Sequence, residues 1–151
     1  MDILTDTNIL LRAFHPKAAK HSEAILALKT LQARGSRICV AQQNIYEFWA
    51  VATRPEKDNG FGLRPEQASE VTKHIEMLFR ILRDPPELYG HWRSISVTYG
   101  VSGKKTHDAR LVAAMAVHGI TQILTYNIDD CARFDGIHLM HPALLEDLPR
   151  Y

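Results

Sequence analysis

Short apolar runs alternate with longer stretches of helical apolar spacing along the 151 residues, and that alternation restricts the fold more than any other feature. Ile3-Leu4-Thr5, RICVA at 37–41, Ile81-Leu82 and the segments 122–125 and 137–140 read as strands. Between them, residues 8–14, 18–33, 44–53, 65–79, 88–99 and 106–118 read as helices. Arg34-Gly35, Arg54-Pro55 and Gly119 end three of these, and Pro65 suits a first helical turn. Residues 56–64 form a loop with turn chemistry at Asn59-Gly60, and 100–105 form a second loop rich in small and basic residues. Strands separated by helices pair in parallel through right-handed crossovers, which predicts a three-layer α/β/α sandwich around a central parallel sheet. With no repeat, no long linker and 46% hydrophobic residues, residues 1–151 are expected to form a single domain around one core.

In such sheets ligands bind beyond the carboxyl ends of the strands, and acidic residues collect there. Asp6 follows the first strand directly, and Glu47 lies in the first turn of the helix after the second. Asp108 opens the helix after the basic loop, and Asp129 and Asp130 follow the strand ending at Thr125. Each has a purely structural alternative. Asp6 suits a helix cap, Asn44-Ile45-Tyr46-Glu47 suits a capping box, and Asp108 complements the dipole of a helix capped by Thr106. Asp129 and Asp130 suit a turn.

Convergence changes the weight of these alternatives. Two carboxylates about 4 Å apart repel by roughly 4 kcal/mol at an effective dielectric near 20. Three or four sharing a cleft must protonate, separate or bind a cation. An all-oxygen donor set suits Mg²⁺ or Mn²⁺, which keep much of their water and accept phosphate oxygens. Such an ion polarises a phosphoryl oxygen and acidifies a bound water, and phosphodiester hydrolysis at neutral pH needs both.

The formal net charge of +1 gives no global attraction for nucleic acid, so phosphate contacts would come from a local basic rim. Lys104 and Lys105 lead into Asp108 and either flank the cleft or belong to a solvated loop. Arg12, His15, Lys17, Arg54 and Lys57 lie near other strand-to-helix junctions, and His107 is a further candidate substrate contact. Tyr46, Phe48, Trp49 and Trp92 offer stacking surfaces, although their helical settings favour core packing. Cys39 and Cys131 are too few and too far apart for a metal cluster and fit a reducing compartment. No signal-peptide pattern and no apolar run of membrane-spanning length are present, so a cytoplasmic protein away from the membrane is expected.

The ordered set LTDTNILLR (4–12), QNIYEFWAVATRP (43–55), THDARLVAAM (106–115), ILTYNIDDCARF (123–134) and GIHLMHP (136–142) resembles PIN-domain proteins, more closely VapC-type toxins of bacterial type II toxin–antitoxin systems. NGFGL at 59–63 is similar to a segment in a subset of those toxins. The resemblance implies a Mg²⁺- or Mn²⁺-dependent endoribonuclease, an RNA substrate, a small cognate antitoxin and a homodimer. Residues 66–83 are a candidate dimer or antitoxin-facing surface. Carried over residue by residue, Asp6 and Asp108 are the implied metal ligands, and Glu47 binds metal or positions the attacking water. Thr7 and Asn8 orient Asp6. The family pattern Thr-x-Asn-x-x-Asp-Phe places Thr125, Asn127 and Asp130 at the fourth position, which favours Asp130 over Asp129. Cys131 stands where phenylalanine is usual, a departure expected to affect packing.

Other readings remain open at this stage. A PIN nuclease could serve RNA processing without an antitoxin. A phosphatase with Asp6 as nucleophile would want an acid two residues on, where Asn8 stands. A noncatalytic α/β binding module would be expected to have lost carboxylates that this chain retains.

Overall fold

The computed structural model describes residues 1–147. Five strands form one sheet: β1 (Asp2–Thr5), β2 (Arg37–Ala41), β3 (Arg80–Leu82), β4 (Gln122–Leu124) and β5 (His138–Met140). Their order is β3-β2-β1-β4-β5, and every neighbouring pair is parallel. Seven helices connect them: α1 (Thr7–Ala13), α2 (His21–Ala33), α3 (Gln42–Thr53), α4 (Pro65–Leu78), α5 (Leu88–Thr98), α6 (Lys105–Val117) and α7 (Ile128–Cys131). Short 3-10 turns cover Glu56–Asp58 and Pro142–Asp147.

The strands lack a polar face because both faces of the sheet are covered. Ile3, Ile38, Val40 and Leu124 pack on one side against Ile9 and Leu10 of α1, Leu28 and Leu31 of α2, Phe48 of α3 and Ile75 of α4. Leu4, Cys39, Ala41, Leu82 and Ile123 pack on the other side against Leu88 of α5 and Leu111 and Met115 of α6. The result is the expected three-layer α/β/α sandwich. The chain moves outward from β1 through β2 to β3, then returns to the opposite side of β1 for β4 and β5. This reversal opens a crevice between the loops leaving β1 and β4.

Several local boundaries differ from the sequence reading, each for an identifiable reason. The second helix begins at His21 rather than at 18, because Lys20 takes a left-handed conformation (φ 63°). α3 begins at Gln42, and Asn44 Oδ1 accepts from the Ala41 amide at 2.9 Å. That contact replaces the expected Asn44–Glu47 capping box and moves Glu47 into the second turn. α6 begins at Lys105, so Thr106 lies inside it, its hydroxyl donating to Gly103 O at 2.8 Å instead of capping. Asp129 and Asp130 occupy the short helix α7 rather than a turn. Of the four aromatics expected in the core, Phe48 is buried, Trp49 and Trp92 are partly buried, and Tyr46 is exposed.

The NGFGL segment is a close-packed loop. Phe61 stacks on His15 with ring centroids 3.9 Å apart and meets Phe48 edge-on at 6.2 Å. Its backbone bonds back to α3 through Gly62 N to Arg54 O (2.8 Å) and Leu63 N to Ala52 O (2.9 Å). A Cβ on Gly60 would fall on the Arg54 carbonyl oxygen. Gly60→Ala is therefore expected to destabilise the chain by about 2 kcal/mol, measured by denaturant unfolding. An unchanged midpoint would contradict this packing.

Candidate functional site

The β1–β4 crevice is a cleft of about 230 Å³ lined by Asp6, Glu47, Asp108 and Asp130 together with Thr7, Asn8 and Asn127. Leu11 and Val51 supply an apolar wall. Each acid arrives from a different element: Asp6 caps α1, Glu47 projects from α3, Asp108 from the first turn of α6, and Asp130 from α7. Asp129 is exposed and does not line the cleft.

Asp6 combines the capping role and the cleft-facing role. Its Oδ1 accepts from the Thr7 amide at 2.7 Å, while Oδ2 accepts from Thr125 Oγ1 at 2.8 Å and from Asn8 Nδ2 at 3.2 Å. Asn8 also donates to Thr125 Oγ1 at 3.1 Å and accepts from the Tyr126 amide through Oδ1 at 3.1 Å. Thr125 Oγ1 accepts from the Asn127 amide at 3.0 Å. Thr7 points away from solvent, its hydroxyl accepting from Asn44 Nδ2 at 3.0 Å. Thr7, Asn8 and Thr125 thus hold Asp6 and its loop, and Asn127 sits at the cleft edge.

Lys104 and Lys105 are both exposed and neither lines the cleft, but Lys105 Nζ reaches to 3.9 Å from Asp130 Oδ1 at its rim. Arg12 is turned onto the Tyr126 ring, 4.5 Å from its centroid, and donates to Asn8 O at 2.9 Å. Lys17, Arg54 and Lys57 are exposed and, with His15 and His107, do not line the cleft.

The acids feel one another. Burial pushes the Asp6 carboxyl above its ordinary value of 3.8, and Asp130 adds to the rise while the Thr125, Thr7 and Asn8 hydrogen bonds oppose it. Burial, then Asp130 and Asp6, push Asp108 up as well, with Lys105 opposing. The Cys131 thiol behind them is raised to about 12, first by burial and then by Asp6, Asp108 and Asp130. Among the described residues no three or more His, Cys, Asp or Glu side chains are grouped so that they could hold a metal ion as they stand. The cleft is an open, oxygen-only set with crowded negative charge, and this fits a hard cation that retains water. Asp6, Asp108 and Glu47 line the cleft and are the residues that would supply oxygen ligands to such an ion.

Sequence reasoning missed Gln43, Asp84 and Arg110. Gln43 Nε2 donates to Glu47 Oε1 at 2.8 Å, and Arg110 donates both to Gln43 Oε1 (3.0 Å) and to Asp84 Oδ2 (2.6 Å). The four-residue spacing of Gln43 and Glu47 on one helix was the available signal. Nothing local points to Arg110 or Asp84.

Raised carboxyl values mean that protonating the cleft favours the folded metal-free chain. That contribution is full below the unfolded value near 3.8 and is lost as pH rises through the raised native values. At neutral pH, Asp108→Asn removes repulsion and is expected to leave metal-free stability unchanged or higher. Asp6→Asn puts an amide donor against the Thr7 amide or the Thr125–Asn8 pair, and is expected to lower stability by about 1–3 kcal/mol. Denaturant unfolding without divalent ions distinguishes the two variants, and equal losses would contradict this picture.

The PIN domain family profile matches residues 3–137. No curated protein matches the chain. Among solved structures, VapBC2 from Rickettsia felis, bound to a promoter DNA fragment, superposes with a TM-score of 0.69 at 13% identity, covering 93% of this chain and 98% of that one. The sarcin-ricin loop cleaving toxin VapC20 from Mycobacterium tuberculosis gives 0.63 at 18% identity, covering 86% and 93%. A toxin–antitoxin complex from Klebsiella pneumoniae gives 0.64 at 21% identity, covering 93% and 97%. The profile spans all four cleft acids, and the chain belongs to the PIN domain family.

Proposed function

We propose that residues 1–151 form one PIN domain that acts as a Mg²⁺- or Mn²⁺-dependent endoribonuclease, the toxin of a toxin–antitoxin pair. The observation that carries the nuclease reading is the gathering of Asp6, Glu47, Asp108 and Asp130 around one cleft at the sheet's switch point. The toxin reading rests on likeness of fold to proteins described as a sarcin-ricin loop cleaving toxin and as a toxin–antitoxin complex. A cognate antitoxin and a homodimer are parts of the same proposal.

When bound, the cation supplies charge neutralisation at the scissile phosphate and acidification of a water. Asp6 and Asp108 bind it, Asp6 being aimed by its three hydrogen bonds. Glu47, exposed on α3, would join them as a ligand or position the attacking water, using the carboxylate oxygen not held by Gln43. Lys105 at the rim contacts the RNA backbone, and Asn127 contributes a polar edge. The phosphatase alternative loses support because the residue two after Asp6 is Asn8, a donor that ties Asp6 to Thr125 and supplies no acid.

Purified protein is expected to cleave a structured RNA with Mg²⁺ or Mn²⁺ and to stop in excess chelator. Asp108→Asn should lower the rate by about 100-fold or more, equivalent to losing several kcal/mol of charge stabilisation. At subsaturating metal the rate should fall with acid, as protons compete with the cation for the Asp6 and Asp108 carboxyls, which burial raises in the metal-free chain. Cleavage that survives chelator and Asp108→Asn would point to a contaminant or a different site and overturn the reading of this cleft as a metal-dependent nuclease centre. Co-expression with the product of an adjacent short reading frame should suppress the activity. A cleaving enzyme that no neighbouring product suppresses would instead be a PIN nuclease of RNA processing.

A further inference from the structure

Glu47 is exposed on α3, where a glutamate side chain has several rotamers open to it. One side chain restrains it: Gln43, a turn earlier on the same helix and 7% exposed. Gln43 Nε2 donates to Glu47 Oε1 at 2.8 Å and to the His107 carbonyl at 2.9 Å. Gln43 Oε1 accepts from Arg110 Nη1 at 3.0 Å.

A primary amide can turn either end toward a neighbour, but a guanidinium has only donors. Arg110 therefore requires the Gln43 oxygen on its side and leaves the NH₂ facing Glu47. Arg110 is held in turn by Asp84, whose Oδ2 accepts from Nη2 at 2.6 Å. Asp84 is anchored by its own amide donating to Gln42 Oε1 at 2.7 Å. Among the described residues Arg110 pairs with Asp84 and not with Glu47. Its charge is met outside the cleft, and a neutral amide stands between it and Glu47. The glutamate is thus aimed through one oxygen without being neutralised.

We propose that Asp84, Arg110 and Gln43 form a positioning relay that orients Glu47 toward the reacting phosphate; this rests on the nuclease reading of the cleft. The relay joins the outermost strand β3, through the loop carrying Asp84, to α6 and α3. The Gln43–His107 bond also seats the first turn of α6, which carries Asp108. Groups that orient metal-binding carboxylates commonly change metal affinity or activity by 10–100-fold when removed.

The test is a double-mutant cycle on RNA cleavage rate and on Mn²⁺ affinity, the latter read by electron paramagnetic resonance of the free ion. Gln43→Leu and Arg110→Met are each expected to lower both quantities about tenfold. In a Glu47→Gln background Arg110→Met is expected to have little further effect, because the residue it acts through is already altered, whereas Gln43→Leu retains the part that acts through His107 on α6. Arg110→Lys keeps the charge but cannot span both Gln43 and Asp84, and should recover part of the loss. In the metal-free wild type, the Gln43 side-chain NH₂ protons should exchange slowly by NMR, and Arg110→Met should remove that protection. If Gln43→Leu does not fold, Arg110→Met, at a partly exposed position, carries the cycle.

Equal losses in both backgrounds would make the network ordinary structural support and overturn the relay. No loss in either variant, while Glu47→Gln is impaired, would also overturn it. If Glu47→Gln changes neither cleavage nor Mn²⁺ affinity, the reading of the cleft fails, and the relay fails with it.

Discussion

Asp6 Oδ2 accepts from both Asn8 and Thr125, and that shared oxygen ties the loop leaving β1 to the loop leaving β4. These strands flank the point where the chain reverses direction across the sheet, so the crevice between them would otherwise be two independent loops. Asn8 reinforces the tie by bonding Thr125 and the Tyr126 amide as well. The cleft depends on this arrangement: Asp130 and Asn127 come from the second loop, and Asp6 comes from the first. A carboxylate with three donors can remain charged at a largely desolvated position, and these donors oppose the upward push of burial.

The same cleft is a source of electrostatic strain. Asp130 adds to the upward push of burial on Asp6 and Asp108, Asp6 adds further to that on Asp108, and Lys105 opposes the rise of Asp108. Two well-packed layers tolerate the repulsion. Apolar residues from five strands are covered on one side by α1 to α4 and on the other by α5 and α6. The acids are carried at the ends of these elements, where they do not interrupt the core. A binding site built on crowded like charge is normally held this way, with rigid elements supplying the order that the charges oppose.

Much of the architecture was legible in the residues. All five strands, and six of the seven helices, follow from apolar runs and helical spacing, with bounds displaced by at most three residues. The displacements have local causes that pattern does not carry: a left-handed Lys20 and a helix opened by Asn44 folding back on Ala41. The four-residue helix α7 is too short to show a period. Tyr46 was expected to pack inward by its helical setting, yet it lies on the solvent side of α3. The acids Asp6, Glu47, Asp108 and Asp130 could be picked out because each follows a strand or opens a helix, and such positions share one edge of a parallel sheet. Choosing Asp130 over Asp129 required a motif pattern, since adjacent residues differ only in which way α7 turns them.

The sequence by itself determined the alternation of strand and helix, the two-sided burial and the placing of the acids at strand-to-helix junctions. These are local properties: apolar period reports backbone conformation and buried face, and chain order then allows few topologies. Tertiary structure alone decided that Thr125 joins Thr7 and Asn8 around Asp6, and that Arg110 fixes the Gln43 that holds Glu47. Thr125 reaches Asp6 across 119 residues of sequence, and Arg110 reaches Gln43 across 67. Such contacts depend on strand order and on where a long side chain ends. No periodicity carries that information, because a hydrogen bond between two loops leaves no repeating trace in either.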